Sequence, residues 1–152
     1  MSSERDRRFM EEAAALAFLC PPDDRAFAVG CIIADGDGNL ISFGYSRELG
    51  DGWHAEEVAI EKARREGKPL KGATLYSSLE PCHPRLSGKK SCSRHIIDSG
   101  IARVVFCLKE PPVYVDCKGE KILKEAGLTV EQDETLKDRV IKANAALFTK
   151  SS

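Results

Sequence analysis

Hydrophobic residues repeat along this chain with two different periods, one typical of helices and one typical of strands. Between Phe9 and Ala17, apolar residues recur among charged neighbours at helical spacing, and two consecutive prolines follow a few residues later. This spacing predicts a first helix of roughly 14 residues. Two apolar runs, at 28–34 and 40–45, flank the turn sequence Asp-Gly-Asp-Gly. They predict a β-hairpin after the helix.

The rest of the chain alternates between helix-like and strand-like segments. The pattern predicts helices at 54–66, 92–99, 118–126 and 134–147, and strands at 73–79, 104–108 and 128–130. A polar stretch at 80–91, which contains two prolines and a glycine, predicts a loop whose length suggests a function. Strands that alternate with helices predict an α/β fold, in which helices cover both faces of a mixed sheet.

Length and composition indicate a single globular domain over residues 1–152. The chain has 42% hydrophobic and 31% charged residues and is long enough to form one buried core. No second domain is expected. The net charge of -1 counts against an unspecific grip on nucleic acid, because there is no basic excess to neutralise phosphates. The first residues are polar, with no apolar stretch of signal-peptide or membrane-spanning length behind them. We therefore expect a cytoplasmic protein without a membrane segment.

One group of residues points to metal chemistry. The triplet His54-Ala55-Glu56 opens a predicted helix. Cys82 follows a predicted strand, and Cys92 opens the next predicted helix. One histidine and two cysteines suit Zn²⁺ and leave its fourth position open for water, which is typical of catalytic zinc. Glu56 lies two residues past His54 and does not share its helix face, so we expect it to be the catalytic proton shuttle and not a fourth ligand.

Other interpretations of the same residues remain open. A structural zinc site needs a fourth protein ligand, for which His83 and His95 are the candidates. A binding module that keeps the metal only for stability is another alternative, although the intact Glu56 argues against it. Cys31 and Cys107 lie in apolar runs and are interpreted as buried small hydrophobic residues.

The residues expected to contact the substrate lie near these ligands or in the hairpin region before them. We predict substrate contacts from Phe27, Ser46, Trp53, Ala55 and His83. The loop 83–91 also contains Lys89 and Lys90, which are interpreted either as a solvated charge pair or as a contact to an anion.

Several segments resemble the cytidine deaminase-like superfamily, and most of all the deaminase domain of the riboflavin-pathway pyrimidine deaminases. These segments are Val-Gly-Cys-Ile-Ile at 29–33, Gly-Tyr at 44–45, His-Ala-Glu at 54–56, Gly-Ala-Thr-Leu-Tyr at 72–76, Leu-Glu-Pro-Cys at 79–82 and Ala-Gly-Leu-Thr-Val at 126–130. Zinc nucleobase deaminases carry H-x-E followed by P-C-x-x-C. Here nine residues, not two, separate the cysteines, and the riboflavin group carries a similar insertion.

The resemblance implies a three-layer α-β-α sandwich around a mixed five-stranded sheet. It also implies a zinc-dependent aminohydrolase that releases ammonia from a pyrimidine-type or related amino-heterocycle, and that assembles as a homodimer or homotetramer. The chain departs from the riboflavin group at Ala26-Phe27, where that group has Asn-Pro, and within the loop 83–91. A riboflavin-pathway diaminohydroxyphosphoribosylaminopyrimidine deaminase without the reductase domain is therefore one alternative, and a nucleic-acid deaminase is another.

Overall fold

A mixed five-stranded sheet forms the centre of the protein. The computed structural model describes residues 3–23, 25–85, 87–111 and 117–150. The strands are β1 (Gly30–Ala34), β2 (Leu40–Tyr45), β3 (Thr74–Leu79), β4 (Arg103–Leu108) and β5 (Thr129–Gln132), in the spatial order β2-β1-β3-β4-β5. β1 pairs antiparallel with both β2 and β3, whereas β3, β4 and β5 run parallel to one another.

Helices cover both faces of this sheet. They are α1 (Glu4–Ala17), α2 (Ala55–Arg65), α3 (Cys92–Ser99), α4 (Gly119–Glu125), α5 (Lys137–Ala143) and α6 (Ala145–Lys150). α2 packs on β1, β2 and α3, and α4 packs on α3 and β5, while α1 and α5 pack together beside β4. This arrangement is the three-layer α-β-α sandwich that the sequence predicted. Within the described ranges, no helix is long and apolar enough to cross a membrane.

The three central strands β1, β3 and β4 are buried on both faces, which explains the continuous apolar runs of β1 and β4. In β1, Cys31 and Ile33 belong to the hydrophobic cluster on the α2 side of the sheet. Their neighbours Ile32 and Ala34 belong to the cluster on the α1 side. Successive side chains of a strand point to opposite faces, so one strand supplies both hydrophobic layers.

β1 begins at Gly30, two residues later than predicted, because side chains bond the preceding backbone. The N–H of Ala28 donates to Asn144 Oδ1 at 2.6 Å, and the N–H of Val29 donates to Ser46 Oγ at 3.0 Å. These bonds take the place of strand pairing at the two positions.

The single helix predicted at 134–147 is wrong. A 3-10 turn at Glu134–Leu136 comes first, and α5 and α6 follow with a break at Asn144. Asn144 has φ -126°, outside the helical region, and its amide Nδ2 donates to the carbonyls of Ala28 (2.9 Å) and Val140 (3.1 Å). Because the helix is interrupted at Asn144, its buried side chain can hydrogen-bond the segment before β1. Helical periodicity in the sequence does not reveal this contact.

Candidate metal centre

The three predicted zinc ligands lie at the ends of three elements. His54 is the N-cap residue of α2, Cys92 is the first residue of α3, and Cys82 lies three residues after the end of β3. The N–H of Ser93 donates to the Cys82 carbonyl at 3.2 Å, so the start of α3 is held against the segment after β3. Helix N-termini carry partial positive charge and free N–H groups, which favour anionic sulfur ligands.

These side chains meet at the distances that a zinc site requires. His54 Nδ1 lies 3.6 Å from Cys82 Sγ and 3.3 Å from Cys92 Sγ, and all three donor atoms lie within 4.8 Å of one another. A tetrahedral zinc ion with bonds of about 2.0–2.3 Å places its ligand atoms about 3.5 Å apart. The donor set and its spacing therefore fit zinc.

Neither proposed fourth ligand belongs to this group. Among the described residues, the candidate metal-binding group consists of the histidine and the two cysteines alone. His83 Nδ1 instead lies 2.9 Å from Ser91 Oγ, and His95 Nε2 lies 3.7 Å from Glu57 Oε2. The arrangement is that of a three-ligand site with one position left for water or substrate.

The surroundings of the two thiols favour a thiolate at Cys82. Hydrogen bonding from the Cys92 side chain lowers the pKa of Cys82 to about 4, with help from the ring of His54. The backbone N–H of Cys92 also donates to Cys82 Sγ at 3.4 Å. The same pairing with Cys82, together with burial, raises the pKa of Cys92. The pairing therefore favours the thiolate form of Cys82, which is the form that binds zinc.

Glu56 is enclosed beside the cluster and is not one of its ligands. The residue is 3% exposed. Burial raises its pKa to about 7, and the charge of Cys82 contributes. Ser77 Oγ lies 3.4 Å from Glu56 Oε2, and the Ser77 hydroxyl donates to the Leu79 carbonyl at 2.7 Å. A carboxyl group with a pKa near 7 can both accept and release a proton in neutral solution.

Two of the predicted substrate contacts have side chains that are already engaged. Ser46 is buried, and its hydroxyl oxygen accepts the N–H of Val29 at 3.0 Å. Ala55 is fully buried in the hydrophobic cluster between α2 and the sheet. Any contact of these two residues with a substrate would therefore use the backbone or require the Ser46 hydroxyl to exchange partners.

The other three predicted contacts are half-buried, so they keep surface that a ligand can reach. Phe27 lies in the segment before β1, Trp53 directly precedes His54, and His83 directly follows Cys82. The hydrogen bond between His83 Nδ1 and Ser91 Oγ fixes the ring against the start of α3. Contact of these residues with substrate stays a prediction.

Two charged residues beside the cluster were not predicted from the sequence. Arg85 is 8% exposed, and its guanidinium contacts both sides of the site. Glu110 is half-buried just after β4 and forms no ion pair with any residue in the described part of the chain. Burial raises the pKa of Glu110 to about 8, and the negative charges of Cys82 and Glu56 add to this effect. Its position after a strand parallel to β3 is the available sequence signal, because ligands of open α/β sheets bind beyond the carboxyl ends of the strands.

The fold and the site together define a zinc-binding domain of the cytidine deaminase-like class. The family model for the cytidine and deoxycytidylate deaminase zinc-binding region matches residues 3–108. The chain belongs to this family.

Its relatives are mainly enzymes of pyrimidine deamination. The chain is 39% identical over 144 residues to the diaminohydroxyphosphoribosylamino-pyrimidine deaminase of Schizosaccharomyces pombe, covering 93% of this chain and 35% of that protein. It is 31% identical to the protein of the same name in Buchnera aphidicola, covering 84% of this chain and 83% of that protein. It thus spans about a third of the first relative and most of the second.

A solved structure shows the same architecture. The Rib2 deaminase of Aspergillus oryzae, a C-terminal deletion mutant in complex with DARIPP, matches with a TM-score of 0.81 at 26% identity. The match covers 94% of this chain and 92% of that one. The three-layer arrangement therefore extends over nearly the whole of both chains.

Proposed function

We propose that this chain is a zinc-dependent deaminase that hydrolyses an amino group from a diaminohydroxyphosphoribosylamino-pyrimidine. The observation that carries the proposal is the group of His54, Cys82 and Cys92, whose donor atoms lie within 4.8 Å, with buried Glu56 beside it. The substrate is suggested by the names of the S. pombe and B. aphidicola relatives. A deaminase of another amino-heterocycle is the alternative, because residues 26–27 and the loop 83–91 depart from the pattern of the riboflavin-pathway deaminases.

The chain's own residues supply the binding and the proton transfers. His54, Cys82 and Cys92 would hold the zinc ion, which would supply a nucleophile at neutral pH by lowering the pKa of water. Glu56 takes the proton from the attacking water and delivers it to the ring nitrogen beside the reacting carbon. Glu56 then takes the remaining proton of the attacking oxygen and delivers it to the amine, so the C–N bond breaks, a C=O bond forms at the ring carbon, and ammonia leaves. Burial keeps bulk water away from Glu56 and raises its pKa to about 7. At that pKa the carboxyl group can accept a proton and release it again in neutral solution.

Glu110 is proposed to orient the substrate. Its carboxyl group lies near Cys82 and Glu56, and no described residue forms an ion pair with it. An amino-substituted ring carries N–H groups, and an oxygen of the Glu110 carboxyl group can accept a hydrogen bond from them whether or not the group is protonated. Hydrogen bonding to these N–H groups would fix which amino group lies over the zinc site. A diaminopyrimidine carries two amino groups, so the enzyme has to select one of them.

The wider setting belongs to the same proposal. A small molecule is favoured over nucleic acid because the net charge is -1. Assembly as a homodimer or homotetramer is proposed from the family resemblance alone, and action in the cytoplasm is proposed because several relatives are riboflavin biosynthesis proteins.

The experiment measures ammonia release by the zinc-loaded chain with a panel of substrates. The panel comprises diaminohydroxyphosphoribosylamino-pyrimidine, cytidine, dCMP and a cytidine-containing oligonucleotide. Glu56→Gln keeps the size of the side chain but cannot carry the proton, so we expect kcat to fall by about 10²- to 10⁴-fold while zinc is retained. The matched control is Glu61→Gln on the same helix, where the carboxylate pairs with Arg64 and Arg65 on the surface.

Each result separates substrate from mechanism. Turnover of cytidine or dCMP without turnover of the diaminopyrimidine would replace the substrate proposal and leave the deaminase mechanism standing. Full activity of the Glu56→Gln variant would reject the mechanism itself.

A further inference from the structure

Arg85 is the buried anchor of a loop that is otherwise largely exposed. In the loop 83–91, Pro84 and residues 87–90 are exposed, whereas the Arg85 side chain is only 5% exposed. Arginine is rarely buried unless its donors find partners. The partners of the buried guanidinium therefore indicate its role.

The guanidinium bonds the backbone just ahead of two zinc ligands. Its Nη1 donates to the carbonyl of Lys90 at 3.2 Å, and its Nη2 donates to the carbonyl of Gly52. Lys90 lies two residues before Cys92, and Gly52 lies two residues before His54. Arg85 itself lies three residues after Cys82, the third ligand. One side chain thus cross-links the segments next to all three ligands.

Glu57 gives this link a charge-assisted connection to the histidine ligand. Glu57 Oε1 accepts from Arg85 Nη2 at 3.2 Å and from the backbone N–H of His54 at 3.2 Å. The Glu57 side chain is 18% exposed, so the ion pair is only weakly screened by solvent. Hydrogen bonds between ionised groups are stronger than neutral ones, and a planar guanidinium holds several acceptors in a fixed geometry.

We propose that Arg85 is a positioning residue that sets the zinc affinity of the site by fixing the spacing of His54, Cys82 and Cys92. The loop between the cysteines spans nine residues. Without the link, metal binding would have to order this segment at an entropic cost. With it, the segments are held so that His54 Nδ1 lies 3.6 Å from Cys82 Sγ and 3.3 Å from Cys92 Sγ. The proposal rests on the proposed function only in taking these three residues as the zinc ligands.

The test measures the zinc Kd of the full chain by competition with a chromogenic chelator, without any substrate. Arg85→Met keeps much of the apolar length of the side chain but removes all its donors. We expect its Kd for zinc to rise by about 10- to 100-fold, the range found when residues that orient metal ligands are changed. Because no substrate is present, a wrong assignment of the deaminase substrate leaves this result unaffected.

The matched control is Arg103→Met on the opposite face of the sheet. Arg103 also binds a buried carboxylate, with Nη1 and Nη2 at 3.0 and 2.6 Å from Asp6, but it touches neither the loop 83–91 nor α2. The Arg103→Met substitution is expected to lower Tm and leave the zinc Kd unchanged. An Arg85→Met chain that binds zinc as tightly as the parent, or an Arg103→Met chain that loses as much affinity, would overturn the proposal.

Should Arg85→Met fail to fold, Arg85→Lys provides the same measurement. An ammonium keeps the charge beside Glu57 but cannot span both carbonyls. We expect weaker zinc binding than in the parent chain, and an unchanged Kd would reject the bridging role.

Discussion

Cysteine side chains have different roles in this protein, and the surroundings of each cysteine decide its role. Cys82 and Cys92 face the ring of His54, whereas Cys31 and Cys107 are fully buried in the two hydrophobic clusters on either side of the sheet. The sequence predicted the second pair correctly, because each lies inside an apolar strand. Thiols in apolar surroundings keep their protons, so they do not compete for the metal.

A pair of cysteine substitutions tests this division. Cys92→Ala removes one of three ligands and is expected to abolish stoichiometric zinc binding, measured by atomic absorption after dialysis. Cys107→Ala removes an equally buried thiol from a strand and is expected to keep the zinc while costing about 1 kcal/mol of unfolding free energy. Stoichiometric zinc in the Cys92→Ala chain would contradict the ligand assignment.

Elements whose boundaries depend on local periodicity were predicted closely. α2, β3, α3 and β4 each agree with the prediction to within one residue at both ends. The helices bury one face at helical spacing and the two strands are short runs buried on both faces, and both patterns are visible in the sequence. The last helix was not predicted correctly, because Asn144 bonds a segment more than a hundred residues away in the chain.

The approach of α2 to β2 is a packing feature that positions the histidine ligand. A Cβ atom at Gly44 would lie 2.7 Å from the Ala55 carbonyl oxygen and 2.8 Å from the Ala59 nitrogen. Both atoms belong to the backbone of α2, so they cannot move without moving the helix. His54 caps this helix, so the close packing of Gly44 against α2 also sets the position of a metal ligand.

Gly44→Ala is therefore expected to displace α2 from the sheet. We expect a loss of about 1–3 kcal/mol of unfolding free energy from overpacking, together with weaker zinc binding, measured by urea denaturation and chelator competition. Gly36→Ala is the control, because a Cβ there has no neighbour within 4 Å. Equal stability of the two variants would show that the helix tolerates the shift.

At the scale of the whole molecule, one ionic network joins the first helix to three strands. Asp6 of α1 accepts from the Tyr76 hydroxyl of β3 at 2.6 Å and from Arg103 of β4. Arg103 also donates to Glu131 of β5 at 3.0 and 3.3 Å. Hydrogen bonding by Arg103, helped by Tyr76, holds the pKa of Asp6 well below its ordinary value of 3.8. The network ties the α1 layer to the sheet across long stretches of sequence.

This lowered pKa predicts how stability depends on pH. A carboxylate that is more acidic in the folded state contributes stability above its unfolded pKa, near 3.8, and the contribution fades as the pH falls below that value. Asp6→Asn should therefore lower Tm strongly at pH 7, and the difference from the parent chain should shrink progressively below pH 3.8. Asp138→Asn, on the exposed side of α5, serves as the control. A deficit in Asp6→Asn that stays constant with pH would contradict the assignment.

By itself, the sequence determined the alternation of helices and strands and the zinc-type donor set, and it carries the prediction that Glu56 is the proton shuttle. These follow from local spacing, which depends on backbone geometry and on the chemistry of neighbouring residues. Only the tertiary structure decided that His54 Nδ1 meets the two cysteine sulfurs at 3.6 and 3.3 Å, that Arg85 bridges the chain beside them, and that the charges of Cys82 and Glu56 act on Glu110. The order of strands in the sheet brings these segments together, and long-range pairing leaves no periodic signal in the sequence.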